Sequence, residues 1–441
     1  MLKRLIFRSF VLIVALAFEI ASPLRAESKL NRTLLIEQIQ RFIRTRYVVA
    51  EARAAALSKL SESVASGRYD IADDRAFAAL VTEDLKAVTR DRHVYLVHDP
   101  AKASVLRAAP QMGYAALNAQ AGVAAQRFRR ENQGLIEQRI LEGNVRYLNI
   151  VAFDWTNGVT SGVYDGAMRF LRDGDAIIID VRQNAGGFPD AVHYLLSHFV
   201  EPNTLFVTFF EGTKATPLRS VRDLPSGRIK GKPIFVLTGP ATASAAEELA
   251  YQIANRKLGE VVGEPTAGAG NQSDVFPIAG GFVLSLSTAR AIDAITNTNW
   301  EGVGVLPTIA SPVGSAMLIA HARALEQLAL SASTDDQIRL RWELRIARAR
   351  VAPPTMTAAA LARYVGNYGD RHVTSRDGTL YWKRGAQAEI EMQALGDDWF
   401  LLGATGNQAC FIAENGRVTS VVISRPDGDG AAIPRSAFSA R

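Results

Sequence analysis

The stretch from Pro233 to Glu264 constrains the fold more than any other part of this 441-residue chain. A short β-branched run ends at Thr238-Gly239-Pro240, a helical pattern of small and aliphatic residues follows, and a second apolar run completes the stretch. This order of strand, turn, helix and strand, with few connecting residues, is typical of α/β proteins. The sequence therefore predicts an α/β core around this stretch.

Ser244 lies at the turn between the first strand and the helix of this stretch. Backbone amides at the start of a helix stabilise negative charge, so the position suits a nucleophilic serine. Ser244 and Glu247, three residues later, also match a capping box, which does no more than start a helix. The local residues alone leave both interpretations open.

Strands and helices alternate throughout residues 145 to 266. Ala176–Val181 is almost entirely apolar, which is the sign of a strand covered on both faces. It leads into Gly186-Gly187, and a helix follows Pro189. Adjacent glycines at such a place either leave backbone amides pointing at one spot or form a tight turn with no further role.

Helical periodicity dominates the N-terminal part, over residues 29 to 66 and again after Asp73-Asp74. His93 stands where the second helical pattern changes into a strand, a place that suits either a functional side chain or a structural histidine. The Ala- and Gln-rich segment Ala101–Arg129 predicts irregular structure or a hairpin. Residues 315 to 350 again predict helices.

The C-terminal part has a different pattern. Pro353-Pro354 indicates a linker, because paired prolines stop helices and favour extended chain. Short strands then recur between turn signals such as Asp377-Gly378 and Asn415-Gly416. We expect four segments: a signal peptide at residues 1–26, an N-terminal helical domain at 27–100, an α/β core with a C-terminal helix at 101–350, and a small β barrel or sandwich at 356–441.

The first 26 residues predict export to the periplasm or the medium. Basic residues precede the mostly aliphatic run Phe10–Phe18, and Leu24-Arg25-Ala26 offers a small residue for cleavage before Glu27. An uncleaved anchor is the alternative, although the apolar run is short for a membrane span. Removal of this segment lowers the formal charge from +6 to +3, because Lys3, Arg4, Arg8, Arg25 and Glu19 are lost. No basic run interleaved with aromatics predicts nucleic-acid binding.

Cysteine and histidine usage predicts no metal ion and no other cofactor. Cys410 is the only cysteine, so no disulfide forms within the chain, and we expect it to be a small buried hydrophobe. His93 and His98 lie five residues apart, as do His193 and His198, and no His-Glu-x-x-His motif occurs.

Four segments together resemble the serine peptidase family that includes the tail-specific (C-terminal processing) proteases, the tricorn core and the modules of interphotoreceptor retinoid-binding protein. Roughly residues 30 to 312 take part in this resemblance. The segments are Thr89-Arg-Asp-Arg-His93, Asp180-Val-Arg-Gln-Asn-Ala-Gly-Gly187, Thr242-Ala-Ser-Ala-Ala-Glu247 with Val261-Val-Gly-Glu-Pro-Thr266 behind it, and Glu301-Gly-Val-Gly-Val-Leu-Pro307.

The resemblance implies a crotonase/ClpP-like α/β core that hydrolyses peptides or unfolded protein segments through an acyl-enzyme. Ser244 would be the nucleophile, His93 its general base and Glu301 the acid associated with that base. The Ala245 amide, with one from Gly186 or Gly187, would form the oxyanion hole.

The chain departs from the tail-specific branch in its base. That branch pairs its serine with a lysine, but the corresponding position here is Ala269 and no Ser-x-x-Lys occurs, so the histidine-dependent branch is favoured. That branch can place a serine before the histidine; here the residue is Arg92, and Asp91 is the local candidate partner of the base. The interval from Asp99 to Gly143 is too short for the PDZ domain of the tail-specific branch.

Two other functions stay open from the sequence. The retinoid-binding modules imply a non-catalytic binder of lipophilic small molecules, and the β-rich tail is compatible with a structural envelope protein. The joint presence of Ser244, His93 and Glu301 favours the enzyme, because a pure binder has no chemical need for all three. The oligomeric state does not follow from these patterns.

Overall fold

The structure is a computed structural model that describes residues 31–108 and 114–436, without the side chains of residues 114–121 and Ala404. The expected signal segment at residues 1–26 lies outside the described residues. Within them, no helix combines the length and the apolarity that crossing a membrane requires.

The described part of the chain begins with helices, as the periodicity of its sequence predicted. The helical pattern of residues 29–66 forms two helices, because the backbone is extended at Tyr47. Asp73 caps the third helix by accepting the N–H of Ala76 at 2.6 Å. The elements are α1 (Arg32–Arg46), α2 (Ala50–Ala65), α3 (Asp74–Thr89) and β1 (Tyr95–His98).

The segment Ala101–Arg129 contradicts the expectation of irregular structure or a hairpin. Its described residues lie in two helices, α4 (Pro100–Ala108) and α5 (Tyr114–Arg130). Alanine, glutamine and arginine are strong helix formers, and this composition outweighs the weak amphipathic pattern on which the prediction depended.

The core is an α/β structure, as predicted. Its helices and strands, including those of a second sheet, are β2 (Leu135–Leu141), β3 (Val145–Ile150), α6 (Thr160–Arg172), β4 (Ala176–Asp180), α7 (Pro189–Ser197), β5 (Leu205–Glu211), β6 (Lys214–Arg219), β7 (Ile234–Thr238), α8 (Ala245–Asn255), β8 (Glu260–Gly263), β9 (Asn271–Ile278), β10 (Phe282–Asp293), β11 (Ile309–Ala310), α9 (Ala316–Ser331) and α10 (Thr334–Val351). A six-stranded sheet has the order β11-β8-β7-β4-β3-β2, with all neighbours parallel except the edge strand β2.

Helices cover both faces of the six-stranded sheet. Ile177 and Ile179 of β4 pack with α6, α7 and α8 on one face, whereas Ile178 packs with α9 on the other. All three side chains are fully buried. The apolar run therefore marks a central strand, as such runs do in parallel sheets.

A second, antiparallel sheet joins the N-terminal helices to the core. It has the order β1-β10-β5-β6, and β9 also pairs with β10. The apolar faces of α1, α2 and α3 pack on β10, where Leu284 and Leu286 are fully buried. This contact places the segment between α3 and β1, which carries His93, beside the loops of the core.

The C-terminal part is a closed β barrel. Its elements are α11 (Ala358–Ala362), β12 (Gly366–Tyr368), β13 (Arg371–Arg376), β14 (Thr379–Arg384), β15 (Ile390–Gly396), β16 (Trp399–Leu402), β17 (Gln408–Glu414), β18 (Arg417–Arg425), β19 (Gly428–Asp429) and β20 (Ile433–Ser436). The strands run in the order β17-β16-β15-β14-β13-β12-β20-β18, and β17 pairs with β18 to complete the ring. Cys410 of β17 is half-buried, and burial raises the pKa of its thiol.

Candidate active site

Ser244 follows β7 and immediately precedes α8. Its backbone has φ 54° and ψ −123°, a conformation that non-glycine residues rarely adopt. Strain of this kind persists only where the surroundings enforce it, and it concentrates at functional sites. The side chain is half-buried, so its hydroxyl is not sealed inside the core.

The Gly186-Gly187 turn packs directly against Ser244. Both glycines have positive φ, 104° and 147°. A Cβ on Gly186 would lie 2.7 Å from the Cβ of Ser244, and a Cβ on Gly187 would lie 2.2 Å from the carbonyl oxygen of Phe153. Glycine is therefore required at both positions by close approach as well as by conformation.

The amides around Ser244 differ in availability. Gly186 donates its N–H to Oδ1 of Asn184 at 2.8 Å, whereas neither Gly187 nor Ala245 donates its N–H to any acceptor in the described part of the chain. Asn184 is fully buried and also accepts the N–H of Ala243 on its carbonyl at 3.0 Å, which ties the two turns together. Of the two glycines, Gly187 has the free amide.

Glu247 holds the backbone of Ser244 from inside the protein. Its fully buried carboxylate accepts the N–H of Ser244 at 2.8 Å, which is the reverse half of a capping box. The same carboxylate accepts the hydroxyl of Thr266 at 2.5 Å and the amides of Gly268 and Ala269 at 2.6 and 2.8 Å. Burial nevertheless raises the pKa of Glu247.

His93 lies beside two carboxylates. Its Nδ1 is 3.9 Å from Oδ1 of Asp91 and 3.9 Å from Oε2 of Glu301. Asp91 also accepts the backbone N–H of His93 at 2.9 Å, and Glu301 accepts the amides of Gly270 and Asn271 at 2.7 and 2.8 Å. Backbone hydrogen bonds therefore hold both carboxylates next to the imidazole.

Burial is the largest cause of the pKa shifts of His93 and Glu301. It lowers the pKa of His93, although the nearby charge of Asp91 opposes the shift. Burial and then the charge of Asp91 raise the pKa of Glu301 to about 7, against the backbone amides, those of Asn271 and Gly270 first, that stabilise its ionised form.

One loop connects the two halves of the site. Gly268 and Ala269 bind Glu247 beneath Ser244, while Gly270 and Asn271 bind Glu301 beside His93. No hydrogen bond joins the hydroxyl of Ser244 to the ring of His93 among the described residues. The structure thus places Ser244 beside Gly186 and His93 beside Glu301. The loop at residues 268–271 contacts the first pair through Glu247 at its start and the second pair through Glu301 at its end.

The sequence analysis predicted neither the hydrogen bonds of Glu247 to residues 266–269 nor the position of Tyr47 near Asp91. The hydroxyl of Tyr47 is fully buried, and its pKa is raised by burial and by the charge of Asp91. The Ser-x-x-Glu pattern points to Glu247, but no local signal in the sequence links Tyr47 to Asp91.

Similarity to known sequences converges on one family. Residues 144–311 match the model of peptidase family S41. Carboxyl-terminal-processing peptidase 2, chloroplastic, of Arabidopsis thaliana is 29% identical over 171 residues, which are 37% of this chain and 31% of the relative. Carboxy-terminal processing protease CtpB of Bacillus subtilis is 28% identical over 179 residues, 40% of this chain and 35% of the relative. The chain thus matches only about a third of the length of these relatives.

Solved structures of low similarity include two peptidases. A putative peptidase from Parabacteroides merdae has a TM-score of 0.45 at 16% identity, over 65% of this chain and 91% of that chain. The photosystem II D1 C-terminal processing protease has a TM-score of 0.41 at 15% identity, over 64% and 93%. Residues 144–311 are thus similar to peptidase family S41, and carboxyl-terminal processing proteases are among the relatives that this part of the chain resembles.

Proposed function

We propose that the chain is an exported serine peptidase that cleaves peptides or unfolded protein segments through an acyl-enzyme on Ser244. The observation that carries this proposal is the strained Ser244, pressed against Gly186 and flanked by free amides of Gly187 and Ala245. A serine that only capped a helix would have no need of this backbone conformation or of unpaired amides beside it.

The two free amides form the oxyanion hole. As the Ser244 oxygen bonds to a peptide carbonyl carbon, the π bond of the carbonyl opens and its electron pair moves to the carbonyl oxygen, where donors already in place stabilise the negative charge. Collapse of this intermediate breaks the C–N bond and releases the amine. Gly187 takes this role in preference to Gly186, whose N–H is bound to Asn184. Removal of a single donor of this kind typically lowers kcat about 10² to 10³-fold.

His93 is the general base. With Nδ1 turned to the two carboxylates, Nε2 is the nitrogen that takes the proton from the hydroxyl of Ser244 and returns it to the leaving amine. Glu301 and Asp91 stabilise the imidazolium that forms, and Asp91 supplies the orientation that a serine in place of Arg92 would otherwise give. In substrate-free enzymes catalytic hydrogen bonds are often long, in line with the unpaired Ser244 and His93.

Serine-specific labelling tests the nucleophile. We expect a fluorophosphonate probe to label the wild-type chain, to lose labelling in Ser244→Ala, and to label His93→Gln and Glu301→Gln far more slowly. Ser331→Ala, which changes an exposed serine at the end of α9, is the matched control and labels as wild type. Equal labelling of Ser244→Ala would refute the assignment, and an unlabelled wild type would favour a non-catalytic binder.

Substrate class and export are tested separately. A peptide library with free and amidated C-termini should show cleavage by the wild type and loss of about 10⁴-fold or more in Ser244→Ala. Export predicts that the protein recovered from a bacterial periplasm begins at Glu27. An intact N-terminus on periplasmic or membrane-bound protein would point to an uncleaved anchor instead.

A further inference from the structure

Two carboxylates, those of Asp91 and Glu301, flank the imidazole of His93, and no lysine or arginine among the described residues forms an ion pair with either of them. The side chains of Asp91 and Glu301 are 2% and 15% exposed, and the only ion-pair partner of either among the described residues is His93. Two buried carboxylates side by side are costly unless a positive charge or a proton accompanies them. The position therefore favours the binding of a cation.

Unpaired atoms at the same place point to a missing ligand. Oδ2 of Asp91, Nδ1 of His93 and Oε1 of Glu301 are all buried, and none has a hydrogen-bond partner of good geometry in the described parts of the chain, although the Tyr47 hydroxyl lies near Asp91. Buried polar atoms in proteins are nearly always paired, and exceptions often mark a site that binds an ion or a water molecule. One potential donor atom from each of the three residues lies within 4.8 Å of the others.

We propose that Asp91, His93 and Glu301 bind one zinc-class divalent ion, and that this ion reversibly inhibits the peptidase. A tetrahedral ion with ligand distances of about 2.1 Å separates its ligand atoms by roughly 3.4 Å. Nδ1 of His93 lies 3.9 Å from Oδ1 of Asp91 and 3.9 Å from Oε2 of Glu301, and the three ligand atoms lie within 4.8 Å of one another. Side-chain movements of about 0.5 to 1.4 Å therefore complete the site. Water supplies the fourth ligand.

The donor set selects the metal class. One imidazole nitrogen and two carboxylates suit Zn²⁺, Co²⁺ and related transition metals, whereas Ca²⁺ takes six to eight oxygen ligands and Mg²⁺ demands octahedral oxygen geometry. The sequence-based expectation of no metal depended on the spacing of histidines along the chain. Here Glu301 joins Asp91 and His93 only through the fold.

Inhibition follows from the tautomer of the base. A neutral imidazole has one ring proton, and a metal on Nδ1 leaves that proton on Nε2. Nε2 then donates a hydrogen bond and has no lone pair for the proton of Ser244. This consequence rests on the proposed function, whereas metal binding itself does not.

Binding is tested with the metal alone on full-length chain carrying Ser244→Ala, so that no turnover interferes. After chelator treatment, we expect Zn²⁺ to bind with one-to-one stoichiometry in competition with a chromophoric chelator, and Co²⁺ to give visible absorption bands. His93→Gln, Asp91→Asn and Glu301→Gln should each weaken binding about 10-fold or more. Circular dichroism and thermal melting verify that each variant is folded.

His98→Gln is the matched control. His98 also contacts a carboxylate, with Nε2 3.4 Å from Oδ2 of Asp74, but no third ligand from residues 31–108 or 114–436 completes a site there. We expect this variant to bind Zn²⁺ as tightly as its parent. Absence of saturable one-to-one binding, or unchanged binding by folded His93→Gln, would overturn the proposal.

Activity assays separate this inference from the proposed function. We expect Zn²⁺ to abolish peptide cleavage by the wild type and a chelator to restore it. An active wild type that stays active with saturating Zn²⁺ would refute inhibition and leave the peptidase assignment intact. Tight Zn²⁺ binding by a chain with no peptidase activity would refute the proposed function and support the metal site.

Discussion

The Glu247 carboxylate accepts the backbone N–H of Ser244 at 2.8 Å from a fully buried position. Because the same two oxygens bind the hydroxyl of Thr266 and the amides of Gly268 and Ala269, one side chain joins the strained turn to the loop that leads to Glu301. Glu247 therefore both completes the capping box of α8 and holds the backbone of the candidate nucleophile in place.

Glu247→Ala is expected to lower the free energy of unfolding by about 3–5 kcal/mol, because it leaves several buried donors unpaired. Glu247→Gln keeps the volume and one acceptor oxygen, and should cost less. Urea unfolding measures both. Glu414→Ala, at the exposed end of β17, is the control and should change stability by less than about 0.5 kcal/mol. A Glu247→Ala variant within 1 kcal/mol of wild type, taken as roughly one hydrogen bond, would show that the network is not needed.

The contrast between Glu247 and Glu301 shows how much of the site could be predicted from sequence. Glu247 lies three residues from Ser244, so local spacing indicates the capping contact. Its bonds to the loop at residues 266–269 depend on β7 and β8 being neighbours, which spacing does not specify. Glu301 reaches His93 only because β10 pairs with β1, a contact between distant segments. Local patterns thus indicated the elements, whereas the charge environment of the base required the tertiary structure.

Gly186→Ala tests the close approach beneath Ser244. The new Cβ would lie 2.7 Å from the Cβ of Ser244 and 2.9 Å from the carbonyl oxygen of Ala243, at φ 104°. We expect a loss of about 1–3 kcal/mol in unfolding free energy and loss of fluorophosphonate labelling, because the turn must shift.

Gly166→Ala is its matched control in the helix α6. No heavy atom lies within 4 Å of the added Cβ, so the change should stabilise the protein by about 0.4–1 kcal/mol and leave labelling unchanged. A Gly186→Ala variant that behaves like this control would contradict the proposed packing of the oxyanion turn.

Asp154 makes stability depend on pH near the same turn. It follows Phe153, whose N–H and carbonyl bind the backbone at Gly186 and Phe188. Burial raises the pKa of Asp154 to about 6, although Arg127 opposes the shift. A carboxyl whose pKa is raised on folding contributes stability that is fully present below its unfolded pKa and is lost as the pH rises through about 6.

Asp154→Asn should therefore remove this dependence. We expect the variant to gain stability relative to wild type between pH 5 and pH 8, by about 1–3 kcal/mol. Urea unfolding at both pH values provides the measurement. Asp190→Asn, at the first turn of α7, controls for general effects of charge. A difference between Asp154→Asn and wild type that is the same at pH 5 and pH 8 would contradict the raised pKa.

Removal of the C-terminal barrel tests the domain boundary. We expect residues 27–355 to keep a cooperative thermal transition and fluorophosphonate labelling of Ser244, because the barrel has a hydrophobic core of its own, drawn from residues 361–421.

The stability of the remaining core should fall, since α10 packs on the barrel. Arg345 donates to Gln408 at 2.6 Å, its guanidinium lies 3.7 Å from the ring centroid of Trp399, and Gln408 donates to the carbonyl of Trp342 at 2.8 Å. Arg345→Ala in the full chain, which breaks this contact without removing the barrel, should reproduce part of that loss. A truncated chain that melts without a cooperative transition would show that the core needs the barrel to fold and would refute the boundary at residue 355.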